Sequence, residues 1–188
     1  MPLRSTDAGW GALVRAFHWL IALMILVQAI IGLSMVGMGV TPAKVRVFAL
    51  HKSIGMTILA LVLLRIAWRS SERRPVDPPA MPRWQRRAAR AVHLALYGLI
   101  LAIPCSGWWF NSASGAPLVW FGWLRLPGLG GYDPFWKPRA LLLHQSLVAL
   151  LAALLVLHVG AALWHHFRQR DDVLRRMLRG APKQHGGA

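Results

Sequence analysis

The 188-residue chain is poor in acidic residues and in cysteine. Its one cysteine, Cys105, excludes an intrachain disulfide framework. Six aspartates and glutamates stand against 22 lysines and arginines, which gives a formal net charge of +16. Clustered cations can bind nucleic acid, but here they lie between long apolar runs. We therefore expect no nucleic-acid partner and attribute the charge to membrane topology.

Long apolar stretches dominate the sequence. Apolar residues make up 56% of the chain, and the mean hydropathy is +0.44, more than a soluble domain usually carries. Four stretches, approximately 13–40, 48–68, 91–110 and 140–167, each reach the ~20 residues with which a helix spans a bilayer. The sequence predicts an all-α fold, an integral membrane four-helix bundle that forms one domain over residues 1–188 in contact with membrane lipids.

The arginines are distributed unevenly over the predicted loops, and cytoplasmic loops of membrane proteins carry an excess of lysine and arginine. The cations in or beside the N-terminal segment, the second loop and the C-terminal segment are Arg4, Arg15, Arg65, Arg69, Arg73, Arg74, Arg83, Arg86, Arg87, Arg90, Arg168, Arg170, Arg175, Arg176, Arg179 and Lys183. Those on the other side are Lys44, Arg46, Lys52, Arg125, Lys137 and Arg139. We predict a multi-pass protein with both termini in the cytoplasm.

Two of the loops differ in composition. Residues 70–90 are rich in proline and arginine, which predicts an irregular, solvated segment. Residues 111–138 contain six aromatic residues punctuated by glycine and proline, which predicts an ordered cap on the outer face. An aromatic belt at the membrane interface is the favoured interpretation of this cap, and a binding role is the alternative.

Six histidines lie in or near the predicted spans, where an ionisable side chain is a functional candidate by default. In the fourth stretch His144, His158 and His165 fall on a seven-residue grid that Leu151 completes. A helix drifts only ~20° per seven residues, so these residues share one face. The expected rise from His144 to His158 is ~21 Å. This separation fits two sites, one near each membrane face.

Each site needs a second histidine at matching depth. His51 begins the second stretch on the outer side, level with His144, and the two are predicted to form the outer pair. On the inner side His158 has two candidate partners, His18 and His93. Spacing does not decide between them.

The residues that are absent from the spans indicate the kind of metal site. Zinc and di-iron sites usually recruit cysteine or carboxylate ligands, but every acidic residue lies outside the spans. Two neutral imidazoles per site suit the two axial positions of a haem iron. No C-x-x-C-H motif is present, which excludes covalent c-type attachment. A proton-coupled transporter commonly uses membrane carboxylates, so a non-haem transporter is kept only as an alternative.

Several phrases together resemble the bacterial cytochrome b561 family over nearly the whole chain. They are Phe17-His18-Trp19-Leu20, His51 with Gly55, His93 with Tyr97 and Pro104, and His144, His158 and His165-His166. The resemblance implies a four-helix cytochrome of the bacterial inner membrane that holds two b-type haems. Its ligand pattern maps onto His18, His51, His144 and His158, and on this ground His18 is preferred to His93 for the inner haem.

The resemblance also implies two possible activities. One branch of the family is an oxidoreductase that passes electrons from superoxide at the outer face to ubiquinone at the inner face, and the compact four-helix plan favours it. The alternative is an electron-relay subunit that a hydrogenase or another dehydrogenase partner feeds. We predict that Lys52, Arg125, Lys137 and Arg139 steer superoxide electrostatically, with binding of headgroup phosphates as the alternative. Trp19 and His165 are predicted to contribute to a quinone pocket.

Overall fold

The computed structural model describes residues 2–77 and 81–180 and contains four long helices. They are α1 (Ala12–Val36), α2 (Pro42–Ser70), α3 (Arg83–Ala113) and α4 (Trp136–Trp164). All four are long and apolar enough to cross a membrane, α4 together with the π-helical turn His165–Gln169 that continues it. A short helix, α5 (Val173–Leu178), follows. The predicted helical membrane bundle is confirmed, whereas the predicted cytoplasmic cation Lys183 lies outside the described residues.

The helix ends follow local rules that apolar stretches alone do not reveal. α2 begins at Pro42 because proline is tolerated in the first turn of a helix and the Thr41 hydroxyl accepts a hydrogen bond from the Lys44 amide. α3 begins at Arg83, directly after Pro82 and well before the apolar stretch. The expectation of an irregular segment over 70–90 was therefore wrong for its second half, where arginine, glutamine and alanine favour a helix.

The helices pack mainly against their neighbours in sequence, α1 on α2, α2 on α3 and α3 on α4. The centre of the bundle is an apolar cluster of Leu96, Leu99 and Leu151, with Ile25 of α1 against it. In the part of the chain that the structure describes, α1 and α4 make at most slight backbone contact, and the same holds for α2 and α4. α1 and α4 therefore meet through side chains, Ile25 against the Leu151 cluster and His18 against His158, rather than by close approach of their backbones.

An ordered hairpin covers one end of the bundle, as the sequence predicts. Strands β1 (Leu118–Trp120) and β2 (Leu124–Leu126) are antiparallel. The turn between them uses Phe121 and Gly122 at positive φ. The Phe121 amide donates to the Ser53 hydroxyl at 2.9 Å, and the Trp120 indole donates to the Thr57 hydroxyl at 3.1 Å. These bonds fix the hairpin on α2, and we call residues 37–41 and 114–135 the hairpin end.

The opposite end collects the N-terminal segment, the α2–α3 connection and α5, and we call residues 2–11, 71–77, 81–82 and 165–180 the arginine-rich end. The Ser5 amide donates to the Glu72 carboxylate at 2.5 Å. The Arg69 guanidinium lies 3.9 Å from the centre of the Trp10 ring. The Arg15 guanidinium donates to the Leu178 carbonyl oxygen at 2.9 Å. These contacts tie α1, α2 and α5 together near the membrane surface.

Candidate functional site

At the hairpin end, His51 of α2 faces His144 of α4, and we call them the hairpin-end pair. Their ring centroids lie 6.3 Å apart. His144 Nδ1 lies 3.1 Å from the Ile103 carbonyl oxygen and 3.0 Å from the Ser106 hydroxyl. Because a carbonyl oxygen only accepts, Nδ1 carries the proton, and Nε2 keeps a lone pair for a metal. The bond to Ile103 thus fixes both the tautomer and the direction of this imidazole.

Glycines on the neighbouring helices make room for both rings of this pair. A Cβ atom at Gly107 would lie 3.2 Å from His144 Cε1, and one at Gly32 would lie 3.3 Å from His51 Cε1. The Gln28 amide donates to the His51 carbonyl oxygen at 2.7 Å, which ties α1 to α2 at this level. The imidazoles are therefore enclosed closely by α1 and α3.

Toward the arginine-rich end, His158 of α4 has two imidazole neighbours. The centroid of His18 lies 6.2 Å from that of His158, and the centroid of His93 lies 5.2 Å from it. Two imidazoles that bind opposite faces of one iron have centroids about 6 Å apart, since each nitrogen lies about 2 Å from the metal. His18 and His158 meet this distance as the hairpin-end pair does, and we call them the arginine-end pair. The His93 ring is closer than that arrangement allows.

The residues present fit a b-type haem at each pair. The donors are imidazoles alone, and among residues 2–77 and 81–180 no group of three or more His, Cys, Asp or Glu side chains is placed to share one metal ion. His51 Nδ1 is buried without a hydrogen-bond partner within the described structure. Each pair also joins two helices that make at most slight backbone contact. Space between such helices suits a flat macrocycle with one imidazole on each face.

The four predicted steering cations lie at or near the hairpin end but are not equivalent. The Lys52 ammonium donates to the Asn111 side chain at 3.1 Å and to the Pro117 carbonyl oxygen at 2.9 Å, so it holds the cap against α2. The Arg139 guanidinium lies 3.5 Å from the centre of the Phe135 ring. Arg125 and Lys137 are exposed. The last two are the cations best placed to attract an anion from solution.

The predicted quinone-pocket residues lie toward the arginine-rich end, and each is engaged by a different neighbour. The Trp19 indole donates to the Met177 carbonyl oxygen at 3.1 Å, and its ring centroid lies 5.2 Å from that of His18. His165 begins the π-helical turn, and its Nδ1 lies 2.5 Å from an Asp171 carboxylate oxygen. The structure therefore places Trp19 beside the arginine-end pair and gives His165 a carboxylate partner.

Sequence reasoning missed several residues around the histidines. Ser106 of α3 contacts His144 of α4, and Asp171 contacts His165 from beyond the π-helical turn. Neither contact follows from the spacing of residues along one helix. Arg65 donates from Nε to the Tyr97 hydroxyl at 2.9 Å within the bundle. A signal for Arg65 did exist, because a charged side chain inside an apolar span is a functional candidate.

The fold and the paired imidazoles define a class of protein, the membrane cytochromes whose helices hold haem by histidine. The sequence profile of prokaryotic cytochrome b561 matches residues 9–180. The chain belongs to the prokaryotic cytochrome b561 family, whose members bind b-type haem and transfer electrons across a membrane.

Three relatives are similar over much of the chain. Cytochrome b561 homolog 2 of Escherichia coli is 35% identical, covering 99% of this chain and 100% of the relative. Cytochrome b561 homolog 1 of the same organism is 30% identical, covering 68% of this chain and 72% of the relative. A probable superoxide oxidase, CybB, of Yersinia pestis is 27% identical, covering 94% and 98%. The resemblance to this family is thereby confirmed.

Proposed function

We propose that this chain moves electrons across the bacterial inner membrane through two b-type haems, from superoxide at the hairpin end to ubiquinone at the arginine-rich end. The observation that carries the proposal is the geometry of α4. This helix presents one imidazole to a partner 6.3 Å away and a second to a partner 6.2 Å away. The two positions are separated by a rise of ~21 Å along the helix. When bound, the haems supply one-electron oxidation and reduction.

The proposed orientation places the arginine-rich end in the cytoplasm. Four antiparallel spans put the N-terminal segment, the α2–α3 connection and α5 on one side. Most of the cations are on this side, which the positive-inside rule assigns to the cytoplasm. The hairpin end then faces the periplasm.

At the hairpin end the proposed donor is the superoxide anion. Two superoxide anions each lose one electron and leave as dioxygen. The exposed cations Arg125 and Lys137 raise the local concentration of a small anion by electrostatic attraction. The similarity to a relative named as a probable superoxide oxidase supports this choice of donor. Lys52 acts instead by holding the cap beside His51.

At the arginine-rich end the proposed acceptor is ubiquinone, which becomes ubiquinol by taking up two electrons and two protons. Trp19 lies beside the His18 ring and offers a flat apolar surface to a quinone ring. The His165 imidazole is our proposed hydrogen-bond partner for a quinone carbonyl. Asp171 holds that imidazole through Nδ1, which leaves Nε2 to interact with the acceptor.

Stopped-flow absorbance after a pulse of superoxide, with ubiquinol measured in the same sample, tests the proposal. We expect fast reduction whose second-order rate falls with rising ionic strength, because exposed charges act over only ~8 Å at physiological salt. Arg125→Gln with Lys137→Gln should lower the rate and leave the haem spectra unchanged. Arg87→Gln removes an exposed charge from the opposite end and should have no effect.

Two outcomes would contradict the proposal in different parts. Slow reduction that does not depend on salt would contradict superoxide as the donor, and absence of ubiquinol above a haem-free control would contradict ubiquinone as the acceptor. Rapid reduction by a copurifying dehydrogenase in such a sample would support the relay subunit instead. Fast superoxide-driven reduction without ubiquinol would retain the donor and exclude this acceptor.

A further inference from the structure

An arginine inside the bundle has no role in the proposed electron route. Arg65 lies within α2, and its side chain is half-buried. Its Nε donates to the Tyr97 hydroxyl of α3 at 2.9 Å, and its guanidinium carbon lies 5.7 Å from the Tyr97 ring centre. Tyr97 is one turn beyond His93 on α3, so the two side chains share a face. The guanidinium is therefore held in a fixed place next to the histidines.

Arg65 lies against the side of α3 that faces the histidines, because its partner Tyr97 shares a face with His93 and the His93 ring centroid lies 5.2 Å from that of His158. Among the described residues no carboxylate forms an ion pair with Arg65, whereas the exposed Arg90 and Arg175 have aspartate partners. A cation inside a membrane span is costly unless an anion compensates it. The protein supplies a phenol hydroxyl to Nε, and the remaining four N–H donors of the guanidinium are available to an anion.

We infer that Arg65 binds a propionate carboxylate of the haem at the arginine-end pair and that Tyr97 positions the guanidinium for it. This inference rests on the proposed placement of a haem between His18 and His158. A guanidinium matches a carboxylate with two parallel hydrogen bonds, which a lysine ammonium does not reproduce. Such a pairing removes the uncompensated charge of Arg65 and orients the macrocycle in its plane. Arg65 is thus a positioning residue.

The same pairing affects the driving force for electron transfer. Reduction adds one negative charge to the haem, and a nearby cation favours that state. Without Arg65 the propionate charge is uncompensated and opposes reduction. We expect Arg65→Gln to lower the ratio of reduced to oxidised haem at this site by about tenfold at a fixed potential, or about 59 mV for a one-electron couple.

Equilibrium redox titration of the purified haem-loaded protein tests this effect. Arg65→Gln should lower one midpoint potential and leave the other unchanged, and Arg65→Lys should restore most of the shift because it keeps the charge. Arg87→Gln, which removes an exposed charge from α3, is the matched control and should shift neither potential. Two unshifted potentials in Arg65→Gln, or equal shifts in Arg65→Gln and Arg87→Gln, would overturn the inference.

A haem-binding assay tests directly whether a propionate carboxylate is the partner of Arg65. It remains informative if Arg65→Gln lowers the haem content. Protein made in a haem-deficient host is loaded with haem b or with its dimethyl ester, which lacks both carboxylates. Wild-type protein should prefer the free acid at the arginine-end pair, and the preference should disappear in Arg65→Gln. An equal preference in both proteins would reject Arg65 as the carboxylate partner. A wild-type protein that binds fewer than two haems would instead contradict the proposed function.

Discussion

At the scale of single residues, the distances between imidazole rings support the proposed haem ligands. His18 and His51 lie 6.2 and 6.3 Å from their partners on α4, while His93 lies 5.2 Å from His158. Because the two distances are similar at two separate sites, we propose the same arrangement of imidazoles at both. His93 fills space beside the arginine-end pair and is available for hydrogen bonding.

Substitution of these histidines should separate their roles. His158→Ala removes an imidazole that would hold the proposed haem at the arginine-end pair, and the exposed Cys105 is not placed to replace it, so we expect the haem content to fall from the proposed two per chain to one. His93→Ala should keep both haems. The pyridine haemochrome ratio measures both outcomes. Loss of a haem in His93→Ala with retention in His18→Ala would reverse the assignment.

Gly107 should be intolerant of a large side chain for a reason particular to this site. A Cβ atom there would lie 3.2 Å from His144 Cε1, so Gly107→Leu should displace the imidazole and reduce the content of low-spin haem. Gly98 belongs to the same helix and has no atom within 4 Å of an added Cβ. Gly98→Ala should therefore leave haem content unchanged and stabilise the helix by roughly 0.5–1 kcal/mol. Equal haem loss in Gly98→Ala and Gly107→Leu would contradict this account of Gly107.

At the scale of elements, the carboxylate of Glu72 is one of the groups that hold the N-terminal segment. Burial acts to raise the pKa of Glu72, but hydrogen bonds from Ser5 and the charges of Arg4 and Arg69 outweigh it, so its pKa lies below the ordinary value. The ionised form is therefore favoured in the folded protein. Its contribution to docking of the segment is complete above the ordinary pKa and is lost as pH falls through the lowered one.

Hydrogen exchange at the Ser5 amide should report this docking. We expect protection at neutral pH that declines below about pH 4, after correction for intrinsic exchange. Glu72→Gln should weaken protection at neutral pH and remove most of the pH dependence, while leaving the helices in place. Unchanged protection of Ser5 at low pH would argue that other contacts hold the segment.

The elements also show what the sequence predicts and what it does not. Apolar length predicts four spans, and the seven-residue grid correctly predicts that His144, Leu151 and His158 share an inward face. Apolar length does not predict the start of α3 at Arg83, because residues 83–90 form a helix although many of them are charged. Arg65 with Tyr97 was missed because their contact joins two helices and depends on how these helices rotate about their axes.

At the scale of the whole molecule, charge distribution and fold agree on two distinct ends. Hydrogen bonds from the hairpin to Ser53 and Thr57, together with those of Lys52, close one end, whereas the other end concentrates arginines, two of which lie over the rings of Trp10 and Trp68. Reporter fusions at Gly130 and Gly180 should therefore report opposite sides, with Gly180 in the cytoplasm. The reverse pattern would exchange the proposed donor and acceptor faces and leave the histidine geometry unaffected.

The wide backbone spacing between α1 and α4 has a consequence for how the protein matures. α1 packs on α2 and is tied to α5 through Arg15 and Trp19, but it has at most slight backbone contact with α4 in the described structure. A ligand that binds only the folded form stabilises it by mass action, so haem insertion should complete the bundle. Chains inserted during haem shortage would lack this stabilisation and would be degraded faster by membrane proteases. Cellular abundance of the protein would then follow haem supply without any change in its transcription.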